Sequence, residues 1–443
     1  MEVWAVIMLL VAIVVLLLGY PVAFALGTVA LLFGGVFLGL DFFSLLPLRI
    51  WGVMTNFTLL AVPLFVFMGI ILEKSGLAED LLETMGRLFG KLNGGMGVSI
   101  VIVGALLAAT TGVVGATVVT MAVIALPVML KHGYRPQLAT GTIAAAGTLG
   151  QIIPPSIILV LLGDVVGVPV GRLFMGAVVP GVVLIGLFVV YILITARMRP
   201  SYAPALNTVN ADNTANAGDL GHRVIKSLIP PLLLMVAVLG SIFFGVASPT
   251  ESAAVGALGA MALAAAHKKL TRENLNAAMR STTRMTSMVF LILIGATAFG
   301  LVFRGMGGDE LVKDVMTGLP GGEWGFLLVS MLLIFLLGFF LDFIEICFIV
   351  VPILAPIAAH FQVDLLWFAV LIAMNLQTSF LTPPFGFSLF YLKAAAPPQI
   401  GMQQIYTGIL PFVAIQIIAL AVIMLFPETT LWLPDLMDSL RWQ

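Results

Sequence analysis

The chain has 443 residues, of which 61% are hydrophobic and 9% charged, with a mean hydropathy of +1.17. Soluble chains carry roughly 45–50% apolar and about 25% charged residues, so this composition excludes a soluble multidomain protein and leaves an all-α polytopic membrane protein. A net charge of -1 offers no excess of either sign to hold nucleic acid, and a single cysteine, Cys347, excludes an internal disulfide or a cysteine metal cluster. No HExxH or GxSxG pattern occurs, and no enzyme signature is present.

A membrane-crossing helix needs about 20 mostly apolar residues, and irregular backbone at membrane depth requires protein or a wet cavity to satisfy it. Met1 to Gly19, Val22 to Leu40 and Phe57 to Leu72 each read as a span. The charged run Glu73 to Lys91 then reads as an amphipathic surface helix. Gly95 to Met129 holds 35 residues without a charge, interrupted by Thr110-Thr111-Gly112-Val113-Val114-Gly115-Ala116-Thr117. That pattern fits either one long span or a re-entrant hairpin with a polar tip. Leu138 to Gly163 is broken at Gly150-Gln151-Ile152-Ile153-Pro154-Pro155-Ser156, because two prolines remove two amide donors and forbid a continuous helix. Val168 to Ala196 spans again, and residues 198–223 form the one extended polar stretch, a solvated linker on the cytoplasmic side.

The second half repeats these landmarks. Pro21, Met54, Gly76, Pro127, His132, Pro154-Pro155 and Pro180 find counterparts in Pro249, Met285, Gly307, Pro352, His360, Pro383-Pro384 and Pro411, in order and at a nearly constant offset, which argues for duplication. Residues 1–197 and 224–443 are the two repeats. The first carries a hairpin over 95–129 and a broken helix over 138–163; the second carries a hairpin over 321–359 and a broken helix over 365–391. With five spans and one hairpin in each, the halves are inverted relative to each other. Under this topology 15 Lys and Arg residues fall on one side, and only Arg49, Arg172, Arg304, Lys313 and Arg441 on the other. The bias supports the hairpin over a true span and places both termini outside the cytoplasm.

Inverted repeats with discontinuous helices bind coupling ions on unwound carbonyls and anionic substrates at half-helix N-termini. The polar residues fall at the tips and breaks. Na+ takes oxygen ligands, and the candidates are Thr110, Thr111, Gly112 and Gly115 at the first tip and Gly150 and Pro154 at the first break. Gly338 and Asp342 at the second tip join Thr378, Ser379 and Thr382 at the second break; Gln151 and Asn375 accompany them. Thr117, Ser156, Gln377 and Arg304 are the candidate substrate contacts. Tip threonines can instead bond back to their own helix, and Arg304 can snorkel to headgroups instead of pairing with a substrate carboxylate. A carboxylate at depth, such as Asp342, costs about 2.5–3.5 kcal/mol and is functional by default; Glu345 can be its helical neighbour or an interfacial charge. Ser248-Pro249-Thr250-Glu251 fits a helix start with a capping box.

Gly19-Tyr20-Pro21-Val22-Ala23-Phe24-Ala25-Leu26, Leu60-Ala61-Val62-Pro63-Leu64-Phe65-Val66-Phe67-Met68-Gly69, Ile152-Ile153-Pro154-Pro155-Ser156, Ser248-Pro249-Thr250-Glu251-Ser252-Ala253-Ala254 and Thr382-Pro383-Pro384-Phe385-Gly386 resemble the large membrane subunit of tripartite ATP-independent periplasmic (TRAP) transporters. The similarity covers essentially the whole chain. It implies Na+-driven uptake of an organic acid across the inner membrane by an elevator movement, a periplasmic substrate-binding protein that delivers the substrate, and a small four-helix membrane subunit as partner. The family's first tip is usually serine-rich, of the type GSS, whereas this chain has Thr110-Thr111-Gly112-Val113-Val114-Gly115, so backbone carbonyls or Thr110, Thr111 and Thr117 would serve there. A stand-alone sodium/carboxylate symporter of the related two-hairpin fold is the alternative.

Overall fold

The computed structural model describes residues 1–111, 114–205 and 217–441, and these are helical throughout, with no strand among them. Two groups of helices emerge from the packing. The first, the frame, is built on Val22–Phe37, Ala61–Lys74, Pro249–Ala266 and Arg272–Gly305, in which helices of the first half lie against helices of the second. Small residues let these backbones approach: a Cβ on Gly295 would sit 2.5 Å from the Ala23 carbonyl oxygen, and one on Gly256 would sit 2.7 Å from Met68 Sδ. Pro249–Ala266 starts as its sequence predicts, with Ser248 Oγ accepting from the Glu251 N–H and Glu251 Oε2 accepting from the Ser248 N–H at 2.7 Å.

The second group, the core, contains both hairpins and both broken helices. Gly95–Thr111 and Val114–Lys131 pack together as the first hairpin, and Pro136–Thr148 runs through a 3-10 turn, Leu149–Gln151, to the break before Ile157–Val166. In the second half, Glu323–Leu337 turns through residues 338–342 into Phe343–His360, and Leu365–Leu381 breaks before Phe387–Ala395. Each hairpin's second arm packs on the distal half-helix of the opposite half: Val114–Lys131 on Phe387–Ala395, and Phe343–His360 on Ile157–Val166. Both proline pairs, Pro154-Pro155 and Pro383-Pro384, have cis peptide bonds.

Several elements depart from the sequence expectations. Val170–Met198, which the sequence reads as a plain span, and Met402–Leu425 lie on the broken helices and on each other, and so belong with the core. The contact is backbone on backbone: a Cβ on Gly141 would lie 2.1 Å from the Gly408 oxygen, and one on Gly408 would lie 2.1 Å from the Gln137 oxygen. A 3-10 and α-helical segment, Leu40–Met54, precedes Thr58–Lys74 at an angle of 54°, where no element was expected. Helix Ala217–Phe243 begins inside the stretch 198–223 read as linker; residues 206–216 lie outside the described residues. Among the described residues six helices are long and apolar enough to cross a membrane, or seven if the bent pair is one span. Glu2–Leu17 and Val22–Phe37, expected as spans, have 16 residues each, about 24 Å of helix against a hydrocarbon core of about 30 Å. The amphipathic helix expected within 73–91 forms as Leu77–Phe89, and Gly308–Thr317 is a second such helix at the matching place in the other half.

The second hairpin arm opens with a π-helical turn, Ile346–Val350, in which the Val351 N–H reaches back to the Ile346 carbonyl. Pro352 follows, and a proline there has no N–H to donate and a ring that crowds the carbonyl four residues back, so a wider turn relieves the clash.

Candidate functional site

At the second tip, Gly338 ends the first arm and lies directly on the second broken helix: a Cβ there would be 2.2 Å from Ser379 Oγ. The tip and the break are thus in contact through a position that only glycine fills. Asp342 caps the second arm, with Oδ1 accepting from the Phe343 N–H at 2.8 Å while Glu345 Oε2 accepts from the Asp342 N–H at 3.1 Å. Glu345 is therefore the reciprocal partner in a capping box. One Asp342 oxygen is committed to the helix end.

The hydroxyls at the second break bond back to their own helix. Thr378 Oγ1 donates to the Met374 oxygen at 2.9 Å, Ser379 Oγ to Leu376 at 2.9 Å and Thr382 Oγ1 to Thr378 at 2.7 Å. A hydroxyl that donates its proton keeps its lone pairs, and these remain able to face a cation. Asn375 is a structural tie: its Nδ2 donates to the Met331 oxygen on the first arm at 2.6 Å. Gln377 differs from all of these. It is fully buried, and neither its Oε1 nor its Nε2 has a hydrogen-bond partner among the described residues.

The first tip and break show the same features with other residues. Gly150 faces the first arm, where a Cβ would sit 2.6 Å from the Ala108 oxygen. Ser156 is buried and donates to the Gln151 oxygen at 2.9 Å; Pro154 and Thr117 are also buried. Gln151, like Gln377, is fully buried, and both its amide atoms lack a partner among the described residues. Gly115 packs under the ring of Tyr391 from the opposite half, 2.9 Å from where a Cβ would stand. Gly112 and the side chains of Thr110 and Thr111 lie outside the described residues.

Arg304 stands apart. It is exposed at the end of Arg272–Gly305 and lines a shallow recess with Phe303, Asp309, Phe348 and Pro352, in which none of the other candidates takes part. Sequence reasoning missed Tyr391, which carried no motif. It also missed Asp164, whose Oδ1 accepts from Asn56 Nδ2 at 2.5 Å, and Glu73, whose Oε1 accepts from Thr120 Oγ1 at 3.4 Å. Asp164 is a lone carboxylate in an apolar run, which was signal enough to single it out.

Residues 9–429 match the family model of the tripartite ATP-independent periplasmic transporter, DctM component. Similar proteins include the C4-dicarboxylate TRAP transporter large permease protein DctM of Pseudomonas aeruginosa, 29% identical over 88% of this chain and 89% of that protein. The sialic acid TRAP transporter large permease protein SiaM of Vibrio cholerae is 28% identical over 94% and 95%. The isethionate TRAP transporter permease protein DctMQ of Oleidesulfovibrio alaskensis is 28% identical over 92% of this chain but only 62% of its own length. Among solved structures, the Alcanivorax borkumensis YdaH transporter has a similar fold, with a TM-score of 0.61 at 16% identity over 89% and 88% of the chains. The chain therefore belongs to the TRAP transporters, as their DctM component, the large permease subunit in the membrane.

Proposed function

We propose that this large permease subunit imports an organic anion across the inner membrane in symport with Na+. The observation that carries this reading is the pair of fully buried glutamines, Gln151 and Gln377, one at each break and each with an amide that has no partner among the described residues. A buried, unsatisfied amide costs about 1–3 kcal/mol, and a cargo or ion with its water offers the missing partner. The break residues and tips around them supply oxygens suited to Na+: hydroxyl lone pairs, unwound carbonyls and the second carboxylate oxygen of Asp342. Relatives named for C4-dicarboxylate, sialic acid and isethionate support an acidic cargo. The family supports a periplasmic binding protein as donor and a small membrane subunit as partner, the latter fused in proteins of the DctMQ type. Two inverted halves, both termini on the periplasmic side, and an elevator complete the reading. The moving unit is the core, with Val170–Met198 and Met402–Leu425 as part of it, and the frame stays fixed.

The test is uptake by proteoliposomes holding both membrane subunits and supplied with the binding protein. Uptake should need an inward Na+ gradient, and a cross-link between the second tip and Arg272–Gly305 should abolish it. Sodium-independent uptake overturns the coupling, full activity after complete cross-linking overturns the elevator, and uptake without binding protein favours the stand-alone symporter.

A further inference from the structure

Away from the tips, a cavity of about 600 Å³ opens between Pro136–Thr148, Val170–Met198 and Met402–Leu425. Its charge comes from Arg135 and Arg199, and its polar wall includes Gln403, Gln404 and Thr407. Tyr202 fixes both arginines. The Arg135 guanidinium lies 4.3 Å from the ring centroid and that of Arg199 lies 5.1 Å from it, while Arg199 Nη1 donates to the Tyr202 hydroxyl at 3.0 Å. The tyrosine is itself anchored, because the Arg135 N–H donates to the Tyr202 carbonyl at 2.9 Å and the Gly94 N–H to the neighbouring Ala203 carbonyl at 2.9 Å. The ion pairs among the described residues are Arg87 with Glu83 and Arg172 with Asp435 and Asp438, so neither cavity arginine has a carboxylate partner. Two guanidiniums are held against one ring with no counter-charge from the described residues between them.

The geometry points to a phosphate site in this cavity, occupied by the headgroup of an anionic phospholipid. Guanidinium forks meet phosphate oxygens bidentately, and basic pockets between membrane helices bind such headgroups. What favours a lipid over a free phosphate is the adjoining surface. Met198, which lines the cavity, is 77% exposed, and the exposed side chains of Ile194 on its helix and of Leu410, Ile417 and Ile418 on Met402–Leu425 form an apolar strip on two of the helices that wall the cavity. Acyl chains lying on that strip would bring a phosphodiester to the arginines, and the glutamine amides and Thr407 hydroxyl suit a glycerol headgroup. The inference requires only that these helices cross a bilayer and is independent of sodium coupling.

The test is native mass spectrometry of the purified two-subunit membrane complex after exchange into detergent, with phosphatidylglycerol, phosphatidylcholine or inorganic phosphate added back. The wild type should retain phosphatidylglycerol selectively, and the double variant Arg135→Gln, Arg199→Gln should lose that retention by about tenfold or more, since each charge-assisted contact is worth about a factor of ten. Arg87→Gln, at an exposed pair elsewhere, should change nothing. Equal retention of phosphatidylcholine by the wild type, which needs no variant to fold, overturns the proposal, as does undiminished retention by a folded double variant. Displacement of retained lipid by millimolar phosphate would identify a free anion as the occupant and overturn the lipid assignment.

Discussion

The two tips reach their breaks by the same approach and arm them differently. At the second, Gly338 contacts Ser379 and the turn ends in Asp342, a carboxylate held by the capping box with Glu345. At the first, Gly150 contacts Ala108, Gly115 takes the ring of Tyr391 from the other half, and the segment from Thr110 to Thr117 has no carboxylate at all. A formal negative charge a few ångströms from a cation strengthens its binding and makes it depend on ionic strength, whereas a cage of carbonyl and hydroxyl dipoles holds it more weakly. On the proposed Na+ coupling, the tighter ion site would lie in the second half. It also separates two uses of one motif: Asp342 serves its helix and has an oxygen to spare, while the first tip is braced by an aromatic ring.

The largest effect should come from filling the glycine positions. Gly338→Val sets a branched side chain where even a Cβ meets Ser379 Oγ at 2.2 Å and Ser379 Cβ at 2.8 Å. Uptake should fall at least about a hundredfold, since misplacement by about 1 Å costs that much in a positioned site. Normal uptake would show that the tip and break need not touch.

Next come the glutamines. Gln377→Leu and Gln151→Leu should each lower uptake about ten- to a hundredfold and leave thermal stability unchanged or slightly raised, because an unpartnered buried amide contributes no bond to lose. A clear fall in Tm would instead mean that the amide is bonded within the protein. Unequal losses from the two variants would rank the two sites.

Asp342→Asn separates charge from cap. Asparagine also accepts at an N-cap, so stability should change by a few tenths of a kcal/mol, whereas Asp342→Ala should cost about 1 kcal/mol. If the spare oxygen serves Na+, the asparagine variant should need about tenfold more Na+ for half-maximal uptake. An unchanged sodium dependence would leave Asp342 as a cap alone. The smallest effect belongs to Arg304: exposed and unpaired among the described residues, it should tolerate lysine with uptake kinetics within about twofold of the wild type. A tenfold rise in the substrate concentration for half-maximal uptake in Arg304→Lys would restore it to the substrate site.

What the sequence made legible was local. Two prolines in an apolar run forbid a helix wherever they stand, and Ser248 with Glu251 closes a capping box within four residues, so the breaks and that helix start could be read directly. The tips were legible as polar interruptions, and the family motifs carried the assignment. What stayed hidden was set by approach between distant backbones. Gly141 and Gly408 look like any glycines of a membrane helix, yet their contact moves Met402–Leu425 into the core. Arg304 sits at the end of a span as expected, but a helix end does not say which way its side chain turns. The π turn before Pro352 arises from a clash that one proline imposes on the preceding turn, and helical periodicity carries no trace of it.

The interlock of the halves has a consequence for biosynthesis. A chain emerges from its N-terminus onward, so Val114–Lys131 enters the membrane long before the Phe387–Ala395 helix that it packs against, and Gly141 waits for Gly408. The first hairpin therefore remains without its brace until nearly the whole polypeptide has been made. The packing of the first half is therefore complete only when the second half is present, and a chain that stops short leaves that surface without its cover.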